Sequence, residues 1–170
     1  MQSGNKSTWL RWASDRFGQL NLPPYPFKIE KQTDGGVRIY DRLRRRFVTL
    51  TPEEWVRQHF VAMLIDKLGY PDSMMANEVP LTLNDTSRRC DTVAYSLQGL
   101  KPLMIIEYKA PNITINQRTF DQIVRYNMVL QVPWLVVSNG MQHYCCRVDI
   151  NERKVDFLDK IPAYSDLTLG

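Results

Sequence analysis

The sequence predicts an α/β fold: a mixed central β-sheet flanked by helices, in the core order α-β-β-β-α-β, with an N-terminal β extension. Three observations predict it. A helix with a complete start signal precedes three successive strand candidates, a second amphipathic helix follows them, and that helix lies between two buried apolar segments. Because a helix that crosses between two strands of one sheet makes them parallel, we expect a mixed sheet with helices on both sides.

The first 50 residues are predicted to form an arm followed by a β extension. Three prolines between residues 23 and 26 interrupt regular structure after a short aromatic stretch, which indicates an irregular or partly helical arm. Apolar alternation on either side of Asp34-Gly35-Gly36 predicts a hairpin, and residues 47–50 form a further strand candidate.

The strongest helix start in the chain comes next. Thr51 is a suitable N-cap, Pro52 occupies the first helical position, and Glu54 completes a capping box. The helix should run to about Leu68, because apolar residues recur at spacings of three and four. Helical phase places Glu53 on the same inward face.

Three strand candidates follow this helix, over residues 77–83, 90–95 and 102–108. Their short connections predict a β meander. The third contains a continuous apolar run, Leu103 to Ile106, which indicates a strand covered on both faces and therefore central in the sheet.

A second amphipathic helix is predicted over residues 114–130, followed by strands at 134–137 and 143–148. We therefore divide the chain into the arm and β extension (1–50), a core (51–150) and a C-terminal tail (151–170), all within one globular domain.

Composition narrows the classes of protein. At 170 residues with 44% apolar content, the chain can bury one ordinary core. It lacks both the roughly 18 consecutive apolar residues of a membrane helix and an apolar run after Met1, so we expect a cytoplasmic protein without membrane contact. The 3 cysteines and 2 histidines show no zinc-binding spacing, and the net charge of +4 is compatible with a polyanionic partner without requiring one.

Three charged residues form a candidate catalytic core. Asp91 opens one strand candidate, while Glu107 and Lys109 occupy alternate positions at the end of the next, so both point to the same side. Two carboxylates one strand apart suit Mg²⁺, with Mn²⁺ as a substitute, because these ions take oxygen ligands. A neighbouring lysine can position a water or stabilise phosphate charge, which indicates phosphodiester hydrolysis.

Other polar residues are candidates for contact with nucleic acid. Gln122 and Tyr126 lie four residues apart on one face of the second helix, where they could hold substrate or orient the lysine, or simply form a polar edge. Arg89, Arg125 and Lys101 could bind phosphate or be solvated.

Several segments together resemble the N-terminal nuclease domain of type I restriction enzyme R subunits, and more closely the small stand-alone members of that family. The similarity covers about residues 25–150. It is carried by Thr51 to Gln58, Arg89 to Asp91, Ile106 to Pro111, Thr119 to Asn127, and Val136 to Gly140 continuing to Tyr144-Cys145-Cys146.

The resemblance implies a restriction-endonuclease-like core of the PD-(D/E)xK superfamily. It implies that Asp91 and Glu107 bind magnesium, that Lys109 assists the water, and that a glutamate of the first helix completes the acidic site. Helical phase selects Glu53 for this role, and the sequence leaves Glu54, the capping-box residue, as the alternative. The helix bearing Gln122 and Tyr126 would face DNA. In this sequence Cys90 replaces the usual proline before the aspartate, and no helicase motor is present, so a complete R subunit is not expected.

Three functions follow, in order of preference. The first is a magnesium-dependent DNA endonuclease, and the second is a nucleic-acid-binding module that keeps the fold but has no turnover of its own. In the third, Asp91, Glu107 and Lys109 form a buried structural ion network. The sequence leaves open the choice between DNA and RNA, the sequence specificity, and whether a homodimer or an unidentified protein partner is needed.

Overall fold

The structure, a computed structural model, describes residues 6–167. Its helices are α1 (Lys6–Phe17), α2 (Pro52–Asp66) and α3 (Gln117–Leu130). Its strands are β1 (Ile29–Lys31), β2 (Val37–Asp41), β3 (Arg46–Thr49), β4 (Met75–Leu83), β5 (Thr86–Tyr95), β6 (Pro102–Tyr108), β7 (Trp134–Ser138), β8 (His143–Asp149) and β9 (Lys154–Leu158).

The predicted mixed α/β architecture is confirmed. Strands β4 to β9 form a six-stranded sheet in sequence order, in which β6 and β7 are parallel and every other neighbouring pair is antiparallel. The parallel pair arises because α3 carries the chain back across the sheet between these two strands. Strand β6 is central and buried, as its apolar run predicts.

The two faces of this sheet carry two separate hydrophobic clusters. On one face, Met104 and Ile106 of β6 pack with Phe60 of α2. On the other, Ile105 packs with Ile123 of α3. Because side chains alternate along β6, Met104 and Ile106 face α2 and Ile105 faces α3. Glu107 lies on the same side as Ile105, toward α3.

Local capping explains where the two long helices begin. Thr51 Oγ1 accepts a hydrogen bond from Glu54 N at 3.0 Å, which is the first half of the predicted capping box. The Glu54 carboxylate bonds to Arg44 and Gln58 instead of turning back to the cap. The third helix begins at Gln117 rather than at residue 114, because Asn116 is its N-cap and its side chain accepts a hydrogen bond from Arg118 N at 3.0 Å.

The N-terminal segment contains helix α1 and a three-stranded antiparallel sheet, β1-β2-β3. Residues 1–26 are predicted to form an irregular or partly helical arm. Residues 1–5 lie outside the described part, and the remainder contains one helix, α1. Ala13 of α1, Phe27 and Ile39 of β2 belong to the hydrophobic cluster on the α2 side of the main sheet. The extension therefore packs against the core.

Residues 151–170 were predicted to be a tail, but the described part of this segment contains β9 and a short 3-10 helix, Tyr164–Asp166. All five residues of β9 are exposed, and the strand is held by backbone pairing with β8 and by the contact of Phe157 with Phe120, whose ring centroids lie 5.8 Å apart. Beyond it, Tyr164 OH donates to Tyr95 O at 2.7 Å, which anchors the chain to the sheet. Within residues 6–167, no helix has the length and apolar character needed to cross a membrane.

His59 of α2 is buried in an aromatic environment. Its ring centroid lies 4.1 Å from that of Trp55 and 4.6 Å from that of Phe27. Nδ1 lies 2.8 Å from Trp55 O, which assigns the proton of the neutral ring to Nδ1. Burial lowers the pKa of His59 to about 4, although the hydrogen bond to Trp55 O opposes this shift.

We expect this burial to make the folded protein less stable in mild acid. In the unfolded chain His59 is protonated below about pH 6.5, whereas in the folded chain it stays neutral down to about pH 4. The unfolded state therefore binds more protons between these pH values, and the free energy of unfolding decreases as the pH falls through this window. The loss should reach about 3 kcal/mol relative to His59→Gln, measured by urea unfolding of both proteins. Other titrating groups are common to both, so a difference that stays constant between pH 7 and pH 4 would contradict the assignment.

Candidate active site

The middle of β5 and the end of β6 bring two carboxylates together. Asp91 was predicted to open its strand, but β5 begins at Thr86, because the β4–β5 hairpin pairs as far as Leu83 and Thr86. Thr92 pairs with Ile106 in the antiparallel register, so the next residues along are Asp91 and Glu107. Directly opposed residues on antiparallel strands project to the same side. The Asp91 carboxylate is also held against β6, because Tyr108 N donates to Asp91 Oδ2 at 2.8 Å.

Glu107 is 4% exposed, and among the described residues only one of its two carboxylate oxygens has hydrogen-bond partners. Its Oε1 accepts hydrogen bonds from Gln122 Nε2 at 2.7 Å and from Lys109 Nζ at 3.2 Å. Its Oε2 is buried and has no hydrogen-bond partner within residues 6–167. An unpaired buried carboxylate oxygen is costly, so this atom is an obvious position for a ligand.

The Gln122 side chain links Lys109 to Tyr126, the residue predicted to share its helical face. Gln122 Oε1 accepts from Lys109 Nζ at 3.2 Å, and Gln122 Nε2 lies 3.1 Å from Tyr126 OH, to which it donates. The structure thus brings together five of the predicted site residues: Asp91, Glu107, Lys109, Gln122 and Tyr126. The contact between Gln122 and Tyr126 follows from their i, i+4 spacing on α3.

The electrostatics of the two carboxylates favour a bound positive charge. Burial raises the pKa of Glu107 to about 8, and the negative charge of Asp91 adds to the rise, whereas Lys109 opposes it. Burial also raises the pKa of Asp91, while Arg57 and the hydrogen bond from Tyr108 N oppose that shift. Each carboxylate disfavours ionisation of the other, so a proton or a cation between them would be stabilising.

Arg57 of α2 is the buried cation behind this site, and the sequence analysis assigned it no role. Its Nη2 lies 2.6 Å from Glu78 Oε1 and 3.2 Å from Asp91 Oδ1, and its Nη1 lies 3.4 Å from Glu54 Oε2. Burial alone would lower the pKa of Arg57, but the negative charges of Glu54, Asp91 and Glu78 raise it above its ordinary value. Arg57 is therefore charged and holds three carboxylates.

Glu78 was also missed by the sequence analysis. In β4, Asn77 pairs with Thr92 and Val79 with Cys90, which places Glu78 beside Asp91 across the strand pair. Its φ of 56° lies in the left-handed region, which interrupts regular pairing at this position. The register of β4 on β5 identifies it, and that register was not predicted from the sequence.

The predicted inward orientation of Glu53 is wrong. Glu53 is exposed, and Glu54 is the buried carboxylate at the start of α2. Glu54 Oε1 accepts from Gln58 Nε2 at 2.9 Å and from Arg44 Nη2 at 2.5 Å, so counter-charges on the inward side favour burial of Glu54. Glu53 still lies near enough to Asp91 for its charge to add to burial in raising the pKa of Asp91.

The three residues predicted to contact phosphate, Arg125, Arg89 and Lys101, lie in different parts of the structure. Arg125 is exposed and lines the same groove as Gln122 and Tyr126. Arg89 has a side chain that is 69% exposed, with Nη1 at 3.7 Å from Glu78 Oε2. Lys101 lines a separate cleft near the end of α3.

A hydrogen-bonded chain of buried polar groups supports the site from behind. Asp41 of β2 is fully buried, and its Oδ2 accepts from Asn77 Nδ2 at 2.9 Å. Thr92 Oγ1 donates to Asn77 Oδ1 at 2.6 Å and accepts from Tyr108 OH at 3.0 Å. This chain fixes β4, β5 and β6 relative to one another next to Asp91.

The available donors fit a hard divalent cation better than a soft one. In the described part of the chain, no three His, Cys, Asp or Glu side chains converge into a ready-made metal site. The site offers the Asp91 carboxylate and the free Oε2 of Glu107, both oxygen donors. Mg²⁺ is commonly held by one or two carboxylates and keeps several waters, so this pair is sufficient for it.

Comparison with known proteins places these residues in a family context. The family profile for the N terminus of the type I restriction enzyme R protein (HSDR_N) matches residues 52–162. This range contains α2, the strands that carry the two carboxylates, and α3. A search among curated proteins finds no match.

A solved structure shares the fold. It is a fragment structure assigned to an HsdR subunit of a type I restriction enzyme from Vibrio vulnificus YJ016. The two superpose with a TM-score of 0.51 at 16% sequence identity, over 69% of this chain and 24% of that chain. The present chain therefore spans about a quarter of that solved chain, and the likeness is one of fold.

We expect Arg57→Met to be among the most destabilising single substitutions in α2. The change would leave Glu54, Glu78 and Asp91 without their shared buried cation, which should cost about 3–5 kcal/mol in urea unfolding. The matched control is Arg42→Met, because the Arg42–Asp66 pair at 3.4 Å is more exposed and should contribute at most about 1 kcal/mol. Equal effects of the two substitutions would show that Arg57 is not the central ion-pair partner.

Proposed function

The chain belongs to the family of type I restriction enzyme R protein N termini, and from this premise we propose that it is a magnesium-dependent DNA nuclease of the PD-(D/E)xK class. Asp91 and Glu107 are the metal ligands, with Mn²⁺ able to replace Mg²⁺. Lys109 is the catalytic base or charge-stabilising residue. The reaction is hydrolysis of a phosphodiester bond.

One observation carries this proposal most directly. The buried Oε2 of Glu107 has no partner within residues 6–167, and Glu107 lies beside Asp91 with Lys109 Nζ 3.2 Å from its other oxygen. Arg57 Nε and Nη1 also lack hydrogen-bond partners in this part of the chain, but they belong to a cation, whereas Glu107 Oε2 is an anionic oxygen of the kind that binds a hard metal ion. A site that binds a cation leaves one oxygen available.

Each residue then has a defined task. Bound magnesium would polarise a phosphate oxygen and lower the pKa of a coordinated water. Lys109 Nζ is held between Glu107 Oε1 and Gln122 Oε1, both at 3.2 Å, so the ammonium is positioned at the edge of the site. From there it can orient the attacking water or stabilise charge that develops on the phosphate.

The helix residues position the others. Gln122 contacts Glu107, Lys109 and Tyr126 through one amide, so it fixes the lysine relative to the carboxylates. Glu53, which is exposed near Asp91, is the candidate third acidic group because its carboxylate is free to turn toward the site.

A second function is favoured by a different observation. Both Asp91 oxygens already accept hydrogen bonds, one from Arg57 and one from Tyr108 N. Together with the lack of a third converged ligand in the described residues, this arrangement favours a nucleic-acid-binding module that gains turnover only with a protein partner. Metal-dependent cleavage by the isolated protein distinguishes the two functions.

We expect purified protein to cut DNA in Mg²⁺ or Mn²⁺ and not in EDTA. Asp91→Asn, Glu107→Gln and Lys109→Met should each lower the cleavage rate by about 100-fold or more, as is usual when a general acid–base or metal-binding group is lost. Supercoiled, linear and single-stranded substrates should be compared by gel electrophoresis.

The matched control for the lysine is Lys160→Met, an exposed lysine that follows β9. It should cut at the wild-type rate. If cleavage persists in EDTA, or if Lys109→Met is as active as Lys160→Met, the proposed site is not responsible for the activity. If no form cuts but the wild type binds DNA, the binding-module function takes its place.

Substitutions of Glu53 and Glu54, the two glutamates at the start of α2, should differ in their effects on stability and on metal binding. Glu53→Gln should leave stability within about 0.5 kcal/mol of wild type because the residue is exposed, but it should weaken Mn²⁺ binding measured by calorimetry. Glu54→Gln removes the charge that faces Arg44 and Arg57 and should destabilise the protein by about 3 kcal/mol. The reverse pattern would assign the site carboxylate to Glu54.

A further inference from the structure

The two edges of the six-stranded sheet differ in how they can pair with another chain. Strand β4 forms one edge and β9 forms the other. Strand β4 contains Pro80, which has no N–H, and Glu78, whose φ of 56° interrupts regular pairing. Such features keep an edge strand from pairing with a further strand. Neither a proline nor a residue with positive φ occurs between Lys154 and Leu158, so β9 is the edge that stays open to pairing.

The outer side of β9 presents unpaired backbone groups at Val155. Within residues 6–167, no strand pairs with this side. Val148 N of β8 donates to Pro133 O at 2.8 Å, so the main chain of Val148 faces away from β9. Val148 lies opposite Val155 in the register. In such a pair the two residues direct their N–H and C=O groups away from each other, so both groups of Val155 point to the open edge.

A row of exposed apolar side chains lies beside this edge, on the α3 side of the sheet. Val155 and Phe157 are 53% and 64% exposed, and their partners on β8 belong to the hydrophobic cluster that packs with α3. The Phe157 ring meets Phe120 of α3. Val124 and Met128 follow Phe120 at intervals of four on the same helical flank, and both are exposed. Exposed apolar surface next to an unpaired strand indicates an interaction surface.

The charges of β9 complement those of a second copy of the same strand. Antiparallel pairing centred on Val155 places Lys154 of each copy opposite Asp156 of the other, which gives two ion pairs by symmetry. Both fall at positions without backbone hydrogen bonds, where opposed side chains are closest. Pairing centred on Asp156 would instead place two carboxylates opposite each other, which is unfavourable. The strand therefore complements itself in one register.

We propose that β9 is the interface of a homodimer, in which two copies pair antiparallel about Val155 and join their six-stranded sheets into one. The two Val155 residues exchange a pair of backbone hydrogen bonds on the two-fold axis. Because directly opposed residues project to the same side, the apolar rows of both copies meet on the α3 side of the joint sheet. This interface goes beyond the proposed nuclease function and does not depend on it.

The first test measures mass in solution by sedimentation equilibrium at increasing protein concentration. The wild type should form a dimer whose fraction rises with concentration. Val155→Pro removes the N–H that points to the open edge and no hydrogen bond to β8, so this variant should stay monomeric. Val155→Ile keeps the N–H and the apolar side chain and should dimerise like the wild type. Circular dichroism and urea unfolding confirm that both variants are folded.

The second test uses charge exchange across the interface. Lys154→Glu and Asp156→Lys each place like charges opposite each other twice, so each should weaken dimerisation on the order of 10-fold or more. An equimolar mixture of the two variants should recover the dimer, because every opposed pair between the copies is then of opposite sign. Each variant also loses the contact within β9 between Lys154 Nζ and Asp156 Oδ2, at 3.1 Å. Mixing does not restore that contact, so recovery reports on pairing between copies.

The control for net charge is Arg11→Glu, which changes an exposed arginine of α1 paired with Asp15 by the same two units. It should dimerise like the wild type. A wild type that stays monomeric at every concentration would overturn the second copy as the occupant of this edge. A dimer that forms equally well in Val155→Pro, or a mixture of the two charge variants that stays monomeric, would overturn the interface. Since mass is measured without substrate, none of these results depends on nuclease activity.

Discussion

The buried charge of Arg57 is the constraint on which the rest of the site depends. An arginine with a 5% exposed side chain is stable only if carboxylates surround it, and Glu54, Glu78 and Asp91 do so from α2, β4 and β5. These contacts tie one helix and two strands to a single guanidinium. Asp91 consequently has a fixed place beside Glu107, and the position of this carboxylate pair follows from an interaction with a residue outside the proposed catalytic residues. Arg44 extends the network to the N-terminal sheet, since it bonds to both Asp41 and Glu54.

The sequence predicted those features that follow from local periodicity. The apolar run of β6 identified a central strand, and alternation along it placed Glu107 and Lys109 on one side, where their side chains meet at 3.2 Å. Helical spacing similarly predicted the contact between Gln122 and Tyr126. In each case the relation joins residues two to four positions apart within one element, so no knowledge of tertiary structure was required.

Features that depend on contacts between elements were missed. The orientation of Glu53 was wrong because helical phase alone does not locate Arg44, whose charge favours burial of Glu54 instead. Arg57 and Glu78 acquire their roles through strand register and a helix-to-sheet contact. Strand β9 was missed because it is short: its polar and apolar residues alternate over only five positions, all of them exposed. The family match covers the range of the chain that contains the carboxylate pair.

The most direct test of this account is to locate a divalent cation. Crystals grown with Mn²⁺ and measured at the manganese absorption edge should show an anomalous peak within coordination distance of Asp91 and of Glu107 Oε2. The same crystals of Glu107→Gln should show that peak lost or strongly reduced. A saturating Mn²⁺ concentration that gives no peak there, while Arg57 still bonds to Asp91 as described, would contradict a metal site at this carboxylate pair.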